Sequence, residues 1–125
     1  MNQIKIERRT HPRAEGNLPL KICQEGLDVI TETRNISCSG VYCRVNKPMP
    51  VMSKIGIILL LPIKVNGRKK VVTKKIKCNG VVVRSEPIIE PEAKQAMHNV
   101  AIFFSDLCKK DRDIIARYVL QCFAR

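Results

Sequence analysis

Apolar and polar residues alternate along much of the chain at the period-two spacing of half-buried strands. Leu18, Leu20 and Ile22 share one face of a strand expected over Leu18–Cys23, which Gln24-Glu25-Gly26 ends. Leu27 to Arg34 reads as a second strand, with Val29 and Thr31 between charged neighbours. After Asn35–Gly40 comes a third, Val41–Val45, in which Val41, Cys43 and Val45 alternate with Tyr42 and Arg44. Lys47-Pro48-Met49-Pro50 is a loop, because two prolines cannot serve a central ladder. Lys54–Val65 and Arg68–Val72 flank Asn66-Gly67, a strong hairpin signal, since both central residues of a type I′ turn need positive φ. Ile76 to Arg84 is a further strand, with Gly80 marking a bulge or a close contact. Glu86–Gln95, rich in proline and glutamate, reads as a loop, and Val100–Phe104 as the last strand. From Asp111 onward the period changes. Ile115, Val119 and Cys122 share one face, widened by Ile114, Tyr118 and Phe123, as in an amphipathic helix. Asp111 and Asp113 near its start and Arg125 near its end suit the helix dipole.

Short strands at regular spacing with one terminal helix imply a mainly β fold, a small antiparallel barrel. Its 125 residues suit one domain. Aromatics are only 4% of the chain and Trp is absent, so the core must be built from Ile, Val and Leu. Met1 to Gly16 is polar and basic. It is expected to be a flexible arm hinged at Gly16, with residues 17–125 forming the barrel and helix. No internal repeat or low-complexity segment interrupts this plan.

Charge narrows the range of partners. Lys and Arg number 23 against 11 Asp and Glu, a formal net charge of +12, so the partner should be anionic: a nucleotide, a nucleic acid, a membrane surface or an acidic protein. The 6 cysteines form no CxxC pair, and the 2 histidines, His11 and His98, make no metal-ligand pattern with them. They read as free thiols in a reducing compartment, several of them as small hydrophobes. No apolar stretch resembles a signal peptide. The longest apolar run, Ile55–Leu61, is far too short to span a bilayer. A soluble, cytoplasmic protein without membrane insertion is expected. No carboxylate pair, activated nucleophile or Gly-rich phosphate loop is visible, so neither an enzyme nor a resident cofactor or metal is expected.

Two stretches carry chemistry. Arg8-Arg9-Thr10-His11-Pro12-Arg13 places three guanidinium groups within six residues. Each is planar, permanently charged and able to grip a phosphate or a guanine edge with paired N–H donors. Pro12 bars a helix interior and pushes His11 to extended backbone, which favours an exposed arm with His11 toward solvent. Asn35-Ile36-Ser37-Cys38-Ser39-Gly40 offers a short amide, two hydroxyls and a glycine at a strand-to-strand corner. Taken alone, the first is a solvated tail and the second an ordinary turn. Together they resemble the PilZ domain, a bacterial receptor family for cyclic di-GMP. That family pairs an RxxxR motif, here Arg9-Thr10-His11-Pro12-Arg13, with a later [D/N]xSxxG motif, here Asn35 to Gly40. The resemblance extends through Asn79–Arg84 and Val100–Phe104 to the helix, and it implies a six-stranded barrel with the helix packed beside it.

The resemblance also implies the site. Arg9 and Arg13 would hold phosphate or guanine, Asn35 and Ser37 would bond other guanine edges from the barrel surface, and Gly40 would let the backbone turn without blocking the ligand. Family members more often carry Asp at the position of Asn35, and Asn offers one acceptor oxygen where Asp offers two. An arginine at the position of Arg8 often accompanies binding of a stacked, two-molecule form of the ligand. The expected partners are thus cyclic di-GMP and an unnamed downstream protein acting in trans, with homodimerisation left open. Two other readings remain. Lys64, Arg68, Lys69, Lys70, Lys74, Lys75 and Lys77 crowd the Asn66-Gly67 hairpin and could track a nucleic-acid backbone, though aromatics for stacking are scarce. A PilZ-like adaptor that binds no ligand is the other, and the intact arginine motif argues against it.

Overall fold

The computed structural model describes residues 13–65, 67, 69–89 and 96–123. Arg8, Arg9, Asn66, Arg68 and residues 90–95 lie outside the described residues. The elements are β1 (Ala14–Glu15), β2 (Pro19–Gln24), β3 (Leu27–Ile36), β4 (Gly40–Val45), β5 (Lys54–Val65), β6 (Lys70–Ile88), β7 (Met97–Phe104) and α1 (Lys109–Phe123). All pairings are antiparallel. The sheet runs β1-β3-β2-β5-β6-β7-β4, and β4 pairs back onto β3, so six strands close into a barrel-like ring. Closure satisfies backbone groups that an open sheet would leave at its edges.

The expected alternation fills the interior. Leu20 and Ile22, Val41, Cys43 and Val45, Ile55, Ile57 and Leu59, Ile76 and Val82, and Val100 and Ile102 all point inward and are buried. Each fully buried aliphatic side chain of this kind contributes about 1.5–3 kcal/mol relative to exposure. Ile115, Tyr118 and Val119 form the buried stripe of α1, which packs against β5. Gly80 faces the interior between Ile57 and Ile102, where an added Cβ would lie 2.7 Å from a methyl of each. The close-contact reading of this glycine therefore applies, and the strand's bulge lies further on, at Val83.

Several boundaries differ from the sequence pattern. Arg68–Val72 and Ile76–Arg84 read as two strands, but β6 is one strand of 19 residues. The β6 limb of the β5–β6 hairpin is exposed at Val71, Thr73, Lys74 and Lys75. Water reaches both of its faces there, so alternation is lost while the ladder continues. β6 also runs through Pro87 to Ile88, inside the stretch expected to be a loop. β7 begins at Met97 rather than Val100, since His98 and Asn99 pair with Pro87 and Glu86 yet show no apolar signature. The helix begins at Lys109 rather than Asp111, and the Arg112 N–H donates to the Cys108 carbonyl at 2.9 Å.

Candidate functional site

The chain approaches the site along one flank of β3. Ala14 and Glu15 pair with Ile36 and Asn35, and Pro19 to Gln24 pair with Glu32 to Leu27, so β1 continues the line of β2. Thr33 bridges the gap between them. Its hydroxyl donates to the Gly16 carbonyl at 2.8 Å and accepts from the Leu18 N–H at 3.1 Å. Its own N–H donates to the Leu18 carbonyl at 2.9 Å. Thr33 is fully buried, and these bonds satisfy a hydroxyl that would otherwise be costly there. With Ala14 buried as well, the backbone next to Arg13 is fixed beside Asn35.

Arg13 and the Asn35–Gly40 stretch then meet. Arg13 Nε donates to Asn35 Oδ1 at 2.7 Å, and Nη1 donates to Ser37 Oγ at 3.3 Å. Ser37 Oγ also accepts from the Ser39 N–H at 3.2 Å and lies 2.9 Å from Ser39 Oγ. The Ser37 N–H donates to the Gly40 carbonyl at 2.9 Å, closing the corner. Ser37 is 0% exposed, so its hydroxyl holds Arg13 and the turn from beneath instead of facing outward. An added Cβ at Gly40 would run into the Ile102 carbonyl, so this glycine lets β4 approach β7. Cys38, within the same motif, points the other way: its thiol donates to the Arg112 carbonyl of α1 at 3.7 Å. Burial pushes that thiol up from its ordinary pKa, and the Arg112 charge partly offsets the effect.

Register supplies residues the motifs do not contain. Glu15, Asn35, Tyr42, Ala101 and Arg84 are consecutive cross-strand partners, one row spanning β1, β3, β4, β7 and β6. Two bulges flank the row. Thr33 and Asn35 pair with the adjacent residues Cys43 and Tyr42, leaving Arg34 extra, and Val82 and Arg84 pair with Ile102 and Ala101, leaving Val83 extra. Each bulge puts two consecutive residues on the outer face: Arg34 with Asn35, and Val83 with Arg84. Between them opens a cleft of about 590 Å3 lined by Arg13, Asn35, Tyr42, Val83, Arg84 and Ala101. A second hollow of about 500 Å3, lined by Glu15, Gly16, Asn17, Arg34, Asn35 and Tyr42, lies on the other side of Asn35 and Tyr42. The first volume falls within the roughly 300–1,000 Å3 usual for small-molecule sites. Arg13 and Arg84 at opposite ends can take anionic groups, while Tyr42 and Val83 offer flat and apolar surface between them.

Motif reading selected Arg8, Arg9, Arg13, Asn35, Ser37 and Gly40. The structure brings the last four together, and Arg8 and Arg9 lie outside the described residues. Motif reading did not select Tyr42, Arg84 or Arg34. The outward parity of Tyr42 in Val41–Val45 was visible. The run Val81-Val82-Val83 breaks alternation, which is the sequence trace of the bulge that turns out Arg84. Among the described residues no group of His, Cys, Asp and Glu is placed to hold a metal ion, and no helix is long and apolar enough to cross a membrane.

The PilZ domain profile matches residues 7–121, and the chain belongs to the PilZ domain family. Members of this family are cyclic di-GMP receptors and adaptors. No curated protein matches the sequence. Among solved structures, the fold resembles Bacillus subtilis MotI/DgrA, described as an inhibitor of motility. The TM-score is 0.71 and the identity 19%, over 91% of this chain and 50% of that one. This chain thus spans about half the length of MotI. It also resembles the PilZ domain of Escherichia coli YcgR, solved with c-di-GMP, at a TM-score of 0.63 and 8% identity over 93% of this chain and 92% of that one.

Proposed function

We propose that the chain is a cyclic di-GMP receptor, in which the arm up to Gly16, its β1 end already seated against β3, completes its closure over the barrel, residues 17–125, when the ligand binds. Arg9 and Arg13 take phosphate and guanine, and Arg8 assists where the ligand stacks as two molecules. Asn35 reads a guanine edge, while Ser37 and Gly40 shape the corner that presents it. The receptor has no catalytic role. The closed arm presents a new surface to a downstream protein, which requires only that the ligand bind the ordered state more tightly than the open one.

The observation that carries this reading is the Arg13 guanidinium, tied to Asn35 and Ser37 at the mouth of the cleft that Arg84 closes at its other end. The magnitudes agree. Micromolar affinity needs about 8 kcal/mol, and ordering a segment on binding costs on the order of 2–5 kcal/mol. Several charge-assisted hydrogen bonds of roughly 1.5–3 kcal/mol each can supply the total, whereas one arginine contact cannot.

Titration calorimetry with cyclic di-GMP, GTP and cyclic di-AMP tests the assignment. Arg9→Ala and Arg13→Ala should each weaken cyclic di-GMP binding by about tenfold or more, a loss of about 1.4 kcal/mol. Lys110→Ala, on the exposed side of α1, should leave it unchanged. Equal losses in all three variants would reduce the interaction to general charge attraction. One ligand per chain would remove the stacked form and with it the role of Arg8.

A further inference from the structure

The β5–β6 hairpin has two outer flanks, and the protein treats them differently. Along an antiparallel ladder the N–H and C=O of alternate residues point to the same side. On β5 the side facing away from β6 is marked by Lys64, whose N–H donates to Gln121 Oε1 at 3.0 Å and whose carbonyl accepts from Gln121 Nε2 at 2.8 Å. Two residues back on the same flank, Pro62 has no N–H. A side-chain amide and a proline therefore close this flank to another strand.

On β6 the side facing away from β5 is marked by Asn79. Its N–H donates to Asp106 Oδ1 at 2.7 Å, and its carbonyl accepts from the Ser105 N–H at 3.0 Å. Alternation puts the N–H and C=O of Val71, Thr73, Lys75 and Lys77 on that flank. β7 pairs with β6 only from Gly80 to Ile88, and among the described residues no strand occupies the flank before Gly80. All four residues are exposed, Val71 at 58%. This is a template for one more strand.

Charge says which strand. Lys70 and Lys74 lie on one face of β6, and Lys75 and Lys77 on the other. No Asp or Glu occurs between Glu32 and Glu86, so neither β5 nor this half of β6 carries an acid. Among the described residues the ion pairs are Lys21–Asp28 and Lys109–Asp113, and neither uses a lysine of β6. Two copies pairing edge to edge would set these lysines against each other, which is unfavourable. Nucleic acid fits less well, because the flank presents carbonyls as often as N–H groups and β6 has no aromatic residue for stacking. An extended acidic chain satisfies both the backbone and the ammonium groups. We propose that β6, from Val71 to Lys77, receives an extended acidic segment of a partner protein as an added strand.

The test uses the whole chain and a short peptide alternating glutamate with valine, at physiological salt. Amide hydrogen exchange is read residue by residue. On adding the peptide, exchange at Val71, Thr73, Lys75 and Lys77 should slow by roughly tenfold, while the amides of Val72 and Ile76, already bonded to β5, change little. Thr73→Pro removes one N–H from the flank and keeps every charge. It should weaken peptide binding by roughly tenfold, as should Lys75→Glu with Lys77→Glu. An unchanged melting temperature shows that these variants fold. Absence of peptide binding overturns the proposal. So does binding without protection at the four amides, or full binding by Thr73→Pro, either of which would leave charge attraction alone. A single-stranded oligonucleotide that binds more tightly than the peptide and ignores Thr73→Pro would assign the flank to nucleic acid instead.

Discussion

Ser37→Ala separates a residue that positions from one that touches ligand. The hydroxyl it removes accepts from Arg13 Nη1 at 3.3 Å and from the Ser39 N–H at 3.2 Å. Both N–H bonds are long, so each belongs at the low end of its class, and the half-buried Ser39 hydroxyl, 2.9 Å from Ser37 Oγ, can turn to water instead. That low end is about 0.5 kcal/mol for the neutral bond and about 1.5 kcal/mol for the charged one. The fold should lose about 2 kcal/mol, read from chemical denaturation. Arg13 keeps its 2.7 Å bond to Asn35 but loses one anchor. Part of the rotamer entropy of an arginine, up to about 2 kcal/mol, must then be overcome on binding. Cyclic di-GMP affinity should fall by about 1 kcal/mol, roughly fivefold. The decisive measurement is a double-mutant cycle with Arg13→Ala. If Ser37 acts through Arg13, adding Ser37→Ala to Arg13→Ala should cost less than about twofold in affinity. Additive losses would mean that Ser37 meets the ligand itself. Wild-type affinity in Ser37→Ala would mean that the buried hydroxyl does not organise the guanidinium, and the positioning argument would fail.

Gly40→Ala should cost about 2–3 kcal/mol, because the new methyl meets the Ile102 carbonyl and the Phe103 backbone, which cannot step aside. A fall in Tm of roughly 10 °C is expected, and an unchanged Tm would refute the close approach. Asp106 accepts from both the backbone N–H and the side-chain amide of Asn79, which hold its carboxyl below the ordinary value of 3.8. The stabilisation is therefore complete above that value and is lost as pH falls through the lower folded one. Asp106→Asn should flatten the fall in Tm between about pH 5 and pH 3, and an unchanged slope would remove this clasp. Burial pushes the thiols of Cys43 and Cys78 up to about 12. Iodoacetamide at mildly alkaline pH should modify the exposed Cys108 and Cys122 and spare Cys43 until the protein unfolds, as mass mapping would show.

The barrel interior was legible because nearly every strand has one dry and one wet face. Leu20 with Ile22, and Val41 with Cys43 and Val45, announce themselves by parity alone. The pattern failed where that condition failed. Thr73 to Lys75 project past the ring's end with both faces wet, so one strand read as two. His98 and Asn99 hide the start of β7 because pairing, not burial, keeps them in the ladder. The same distinction governs the site. Local motifs pointed to Arg13, Asn35, Ser37 and Gly40, whose residue types and spacing fall in two short stretches. Tyr42 and Arg84 join them only through register across four strands, a non-local property that no short stretch encodes. Ser37 was legible as a polar residue of the motif but not as a buried one, since burial is set by tertiary contacts that a short stretch does not encode.

β1 pairs with β3 through two residues only, Ala14 with Ile36 and Glu15 with Asn35, reinforced by the bonds of Gly16 to Thr33 and Arg34 and of Arg13 to Asn35 and Ser37, whereas the ring of six strands closes without it. Peeling so short a seam away leaves the six-strand circuit unbroken and costs only a small part of what unfolding the whole molecule costs. The short strand that carries Arg13 to the site is thus a separate unit of opening, and its amides should exchange before those of the ring.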